Sequence, residues 1–202
     1  MTDAPQGATL TAANATIAAK EPATEPAPFD PAIIDALRKL DYGKLLLLAP
    51  RDDTTGGLLA LLNAAHTSIL ISIYGFTIAA AADILIAKHQ VGVKVRILFD
   101  HTQACGPTEK AQVARLAAAG VPHWIGTSPK AGQILHSKVC VVDGELAESG
   151  SWNYSLSGSK QANTWVLEKS PDAAAKLTAF IEDLIGWVAQ HEPQYQTQGA
   201  PA

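Results

Sequence analysis

The chain has 202 residues, a formal net charge of −4 and a sequence pI near 5.8. That length suits one sizeable core, and the acidic balance excludes a basic-coated surface for bulk nucleic-acid binding while leaving room for a local cationic groove. Two cysteines, Cys105 and Cys140, make no disulfide framework and fit a reducing, cytoplasmic setting. No apolar run reaches membrane-spanning length, and the start of the chain lacks the basic and apolar segments of a secretory signal.

Residues 1–28 are Ala, Thr and Pro with little else and read as a disordered tail. A single domain is expected over 29–191, followed by a polar, disordered C-terminal tail over 192–202. Asp30 and Pro31 predict the start of a helix over 32–40, with Asp as N-cap and Pro in the first turn. Residues 45–49 read as a buried strand, 56–65 as a helix and 68–74 as a β-branched strand. An Ala-rich helix is expected over 79–90, closed by Gly92, and a strand ending in an acid over 93–100. A helix over 108–119 ends at Gly120 and leads into a short strand over 121–125 and a polar loop over 126–133. Residues 135–142 predict a strand, Asp143-Gly144 a tight turn and 145–149 its hairpin partner. Another strand over 164–168 and a long amphipathic helix over 172–190 complete the domain. This order predicts an α/β domain whose mixed β-sheet is flanked by helices on both faces.

Residues 136–153 concentrate the chemistry. Strand alternation puts His136 and Lys138 on one face. Asp143 has the opposite parity and falls at the turn, so its expected role is structural: bonding turn amides or pairing with a cation. Gly150 is read as letting the backbone approach a ligand closely. Ser151 and Asn153 follow at the far end of the return strand, which brings them back towards His136. For a phosphodiester, neutral His136 can displace an alcohol and form a phosphohistidine, while Lys138 and Asn153 hold the non-bridging oxygens. A further group must protonate the leaving alkoxide and then activate water, and histidine suits both tasks. The chain holds the set only once.

The string His136-Ser137-Lys138, then Asp143, then Gly150-Ser151-Trp152-Asn153 resembles the signature of the phospholipase D superfamily. The order of elements over about 43–188 resembles its small, single-motif bacterial nuclease branch. The resemblance implies a phospholipase D/nuclease-like fold and a metal-independent phosphodiesterase with no cofactor. It implies His136, Lys138, Ser151 and Asn153 as catalytic residues and a homodimer in which two copies of His136 face one phosphate. Hydrolysis of DNA or RNA is the first expectation. The alternatives are a phospholipase D releasing phosphatidic acid from phosphatidylcholine-type lipids, with Ile125, Ile134 and Leu135 as the nearest apolar residues, and a catalytically weakened phosphate-binding scaffold dimer. One departure stands out: the family's Asn-x-Glu-Asn run corresponds here to Gln161-Ala162-Asn163-Thr164, which puts Asn163 where a glutamate orients the histidine. An amide fixes a tautomer but stabilises an imidazolium less than a carboxylate does, so slower turnover or a shifted pH optimum is expected.

Outside the motif, His101 is a candidate substrate contact at the end of the 93–100 strand. Tyr74 and Phe76 read as core aromatics that could frame a cleft. Asp52-Asp53 lacks the further ligands a metal site needs, and Trp152 is expected to pack into the body.

Overall fold

The computed structural model describes residue 25, residues 27–130 and residues 132–196. Most of the stretch read as an N-terminal tail, and residues 197–202, lie outside the described residues. The apolar runs form seven strands: β1 Gly43–Ala49, β2 Ser68–Ile73, β3 Lys94–Asp100, β4 His123–Gly126, β5 Lys138–Val142, β6 Leu146–Gly150 and β7 Asn163–Lys169. They make one mixed sheet in the order β1-β7-β6-β5-β2-β3-β4. Strands β2, β3 and β4 run parallel; β5 returns antiparallel to β2, and β6, β7 and β1 continue the alternation. The helices are α1 Ala32–Arg38, α2 Thr54–Asn63, α3 Ala79–Gln90, α4 His101–Ala104, α5 Lys110–Ala118 and α6 Pro171–His191.

Alternation along the strands sorts their side chains onto the two helical layers. Ile69, Ile71, Ile73, Cys140, Val142, Trp165 and Leu167 enter the larger core with residues of α1, α2, α3 and α5. Leu70, Leu98, Val139 and Val141 enter a smaller core under Ile181, Leu184, Ile185 and Val188 of α6. The fold is therefore the expected mixed sheet with helices on both faces. Trp152 is fully buried in the larger core.

Several local expectations change. Strand β1 is an edge strand, and its Leu46 is 51% exposed because α6 lies over β2, β4, β5 and β6 instead. The N-cap of α1 is Pro31, with the Asp30 carboxylate accepting from Ala32 N–H at 2.9 Å. Asp53 caps α2 through Gly56 N–H, and Asp52 pairs with Arg51. Residues 192–196 are packed and not frayed. Glu192 accepts from Thr127 N–H at 2.7 Å, and the Gln196 side-chain amide bonds the N–H and C=O of Ile125 at 3.3 and 3.0 Å. Polar side chains here satisfy the open backbone edge of β4, so a composition that looks like a tail serves as an edge cover.

The topology brings the ends of β1, β2, β3, β4 and β6 and the beginnings of β5 and β7 to one edge of the sheet. That edge carries His136, Lys138, Gly150, Ser151 and Asn153, while the Asp143 turn lies at the opposite edge.

Candidate active site

Strand β5 begins at Lys138, so His136 precedes the strand in an exposed position. Alternation within a strand therefore does not set its direction, a correction to the sequence reading. His136 and Lys138 meet instead on a third residue. The His136 ring lies 4.7 Å from the Tyr74 ring at 61°, and Lys138 Nζ sits 4.8 Å from the same ring centroid. Lys138 Nζ also donates to the His136 carbonyl at 2.9 Å. Tyr74 is thus a site residue that sequence reasoning assigned to the core, whereas Phe76 is fully buried there. Its position just beyond β2, at the carboxyl edge where α/β sheets collect ligands, was the available signal.

Lys138 is only 5% exposed and, among the described residues, forms no ion pair. Burial lowers its affinity for a proton and the nearby Asp100 carboxylate raises it, leaving the ammonium pushed down to about 8. Asp100 is fully buried and held by N–H groups of Leu135, Thr102 and Gln103 at 2.8, 2.9 and 3.2 Å. Behind it lies Glu109, whose Oε2 accepts from Phe76 N–H at 2.7 Å while Oε1 is buried without a partner. Burial raises its carboxyl, the Phe76 bond opposes this and Asp100 adds to it, so Glu109 is pushed up to about 8 and carries its proton at neutral pH.

Asn153 is half-buried against Gly75, where even a Cβ would lie 3.2 Å from the Asn153 amide carbon. Its Oδ1 is buried without a donor, at a cost of about 1–3 kcal/mol. Ser151 is exposed and already engaged: its hydroxyl donates to Asn163 Oδ1 and accepts from Thr164 N–H, both at 3.0 Å. Asn163, the candidate for orienting His136, directs its amide elsewhere, since Nδ2 donates to the Gly158 carbonyl at 3.0 Å. Among the described residues no hydrogen bond joins it to the histidine. Gly150 also changes meaning: a Cβ there would come within 2.2 Å of the Thr164 carbonyl oxygen, so the close approach is to β7 and not to a ligand. His101 starts α4, one strand along the same edge, and one face of its ring is covered by Tyr195 at 3.8 Å.

Asp143 sits far from this group, at the opposite end of the hairpin, with φ 55° followed by Gly144 at φ 68°. Its carboxylate accepts from the N–H groups of His66, Thr67 and Ser68 and from Arg38 at 2.6 Å. Burial raises the carboxyl, but these bonds outweigh it and hold it well below the usual carboxylate range. A concavity of about 640 Å³ lies at that far edge too, against Lys94 and Arg96, and none of the motif's polar site residues lines it. Among the described residues no group of three or more His, Cys, Asp or Glu could hold a metal ion, and no helix is long and apolar enough to cross a membrane.

Residues 58–185, more than half of the chain, match the family model described as cardiolipin synthase, PLD-like domain. The chain is 28% identical over 93 residues to a mitochondrial cardiolipin hydrolase of Chlamydomonas reinhardtii, covering 46% of this chain and 40% of that protein. It is 27% identical over 105 residues to one of Xenopus laevis, covering 52% and 48%. The alignments thus span under half the length of these relatives. The fold is similar to Nuc of Salmonella typhimurium, a phospholipase D family member, with TM-score 0.65, 25% identity and coverage of 70% of this chain and 93% of that one. It is also similar to NucT from Helicobacter pylori, with TM-score 0.64, 20% identity and coverage of 72% and 96%. Taken with the placement of His136, Lys138 and Asn153 at one sheet edge, the match means that the chain belongs to the PLD-like domain family.

Proposed function

We propose that the chain cleaves phosphodiester bonds of nucleic acid through a phosphohistidine on His136, in a site completed by a second copy of the chain. The observation that carries this reading is the pairing of an exposed imidazole with a buried ammonium that makes no ion pair among the described residues. Lys138 has three N–H donors and uses one on the His136 carbonyl, leaving two for non-bridging phosphate oxygens.

In the first step a neutral ring nitrogen of His136 attacks phosphorus, and the bond from phosphorus to the leaving alcohol oxygen breaks. The partner subunit's His136, as imidazolium, gives that oxygen its proton. In the second step the now neutral imidazole takes a proton from water, the hydroxide attacks phosphorus and the P–N bond breaks. The product is a phosphomonoester and both histidines are restored. Lys138 and Asn153 hold the oxygens on which charge accumulates. The chain's other histidine just beyond a strand at this edge is His101, and Tyr195 stacks on it, which supports supply of the second histidine by a partner. Ser151 acts by keeping Asn163 and β7 in place beside Asn153.

A second reading, hydrolysis of a phospholipid, is favoured by exposed Ile134 and Leu156, in the segments flanking the site. Two of the three apolar residues expected to form a lipid-facing rim, Ile125 and Leu135, are buried in the cores, which favours nucleic acid. The test is hydrolysis in EDTA of single-stranded DNA, RNA, duplex DNA and cardiolipin or phosphatidylcholine vesicles, beside His136→Ala. EDTA-resistant cleavage of a nucleic acid that the variant lacks is the expected result. Cleavage of vesicles alone would select the lipid reading, and binding without cleavage of any substrate would select a phosphate-binding scaffold.

A further inference from the structure

We propose that Tyr74 is a positioning residue of this site, holding His136 and Lys138 in one arrangement through its ring; the inference rests on the phosphodiesterase reading. Tyr74 touches three consecutive motif residues. Its N–H donates to the Ser137 carbonyl at 2.9 Å, its ring meets the His136 ring at 4.7 Å, and its π-face lies 4.8 Å from Lys138 Nζ. The backbone is fixed a second time by the Ser72 and Ser137 hydroxyls at 2.5 Å. The ring itself is anchored at its far end, where the Tyr74 hydroxyl accepts from Gln103 Nε2 at 3.0 Å. Gln103 belongs to α4, which Asp100 caps. A chain of contacts therefore runs from the buried Asp100 through Gln103 and Tyr74 to the exposed imidazole.

The need for such a residue follows from what His136 lacks. Its side chain is exposed, and among the described residues no hydrogen bond holds its ring. The amide that sequence correspondence puts in the orienting position, Asn163, is engaged with Ser151 and Gly158. An exposed imidazole without a partner samples several rotamers, and in-line attack on phosphorus uses only one of them. The edge-to-face contact with Tyr74 narrows that choice, and the same ring, together with the nearby Asp100 carboxylate, favours the charged form of Lys138 through a cation–π contact. One aromatic ring thus couples the nucleophile's direction to the position of the phosphate-holding cation.

The experiment compares the full chain with Tyr74→Leu, Tyr74→Phe and Gln103→Leu on bis(p-nitrophenyl) phosphate, reading kcat and KM, with Tm and the His136 ring-proton NMR shifts as controls. Tyr74→Leu is expected to lose on the order of 10–100-fold in kcat, the scale found for groups that orient a reacting ligand. Its KM should change less than kcat, because Lys138 keeps its bond to the His136 carbonyl and Asn153 is untouched. The ring-current displacement of the His136 protons should vanish in Tyr74→Leu and persist in Tyr74→Phe, which keeps the ring and most of the rate. Gln103→Leu should fall between the two. Should Tyr74→Leu fail to fold, Tyr74→Met carries the same expectation. Parental kcat in a folded Leu or Met variant, or a Phe variant as slow as Leu, overturns the assignment of Tyr74. A parent protein with no turnover on any phosphodiester overturns the reading of the site beneath it, and the two failures are told apart by that control.

Discussion

The β5–β6 hairpin carries polar residues at both ends, and the two ends are satisfied to different degrees. At the turn, Asp143 accepts from three backbone N–H groups and from Arg38, while Glu145 is bound by Arg38 and Lys169. At the open end and among the described residues, Lys138 makes one side-chain hydrogen bond and no ion pair, the His136 ring makes no hydrogen bond, and Asn153 Oδ1 is buried with no donor. A saturated network fixes structure, whereas an unsaturated one can exchange water for a ligand. Residue type alone does not separate the two roles, since both ends hold charged and acceptor groups. Position on the sheet does.

The sharpest break in the comparison comes from removing a group at each end. If His136 attacks phosphorus as proposed, His136→Ala should lower kcat by about 10⁴-fold or more, with Tm unchanged in a melting scan. Asp143→Ala should do the reverse. It strips acceptors from three backbone N–H groups and a partner from Arg38, and should cost about 3 kcal/mol of stability in urea titration. Turnover per folded molecule should stay close to the parent's. Because the folded carboxyl is held below its ordinary range, this contribution is present above the unfolded value and disappears as pH falls through the folded one. An Asp143→Ala protein that is stable but inactive would move Asp143 into the catalytic set and dissolve the distinction.

The pH dependence sharpens it further. Lys138 holds its proton less tightly than an ordinary lysine, at about 8 against 10.5. On the proposed reading, in which this ammonium holds phosphate, its charge is present below about pH 8 and lost above it, and kcat/KM should fall along an alkaline limb near that value. A rate flat to about pH 10 would show an ordinary exposed lysine. A smaller effect comes from mid-hairpin. Glu148 faces Cys140 across β5 and β6, and burial pushes it up to about 8 against the opposing Tyr154 hydroxyl bond. Between 4.5 and 8 the folded chain keeps a proton that the unfolded chain releases, so stability falls as pH rises through that window. Glu148→Gln should flatten part of this decline in thermal melts, the remainder belonging to Glu109, which shares the window.

Much of this was legible in the sequence because the signals are local. The helix over 79–90, the Asp143-Gly144 turn and the burial of Trp152 each follow from periodicity or turn chemistry within a few residues. What escaped depends on contacts between distant segments. Tyr74 meets His136 from 62 positions away, Gln196 covers Ile125 across the edge of the sheet, and Gly150 is set by the Thr164 carbonyl on the next strand. His136 itself lies just outside the strand that its apolar neighbours advertise, because Leu135 is tied by its N–H to Asp100 instead of to the sheet.

The central claim is that the open end of the hairpin forms a bond to phosphorus through His136. Rapid mixing with a phosphodiester labelled on its retained group, an alkaline quench that preserves phosphoramidates, and peptide mass spectrometry test it directly. The account predicts a label on the peptide containing His136 that forms and decays at rates matching turnover and is absent from His136→Ala. Full turnover with no label on that peptide, or label on the variant, would contradict it.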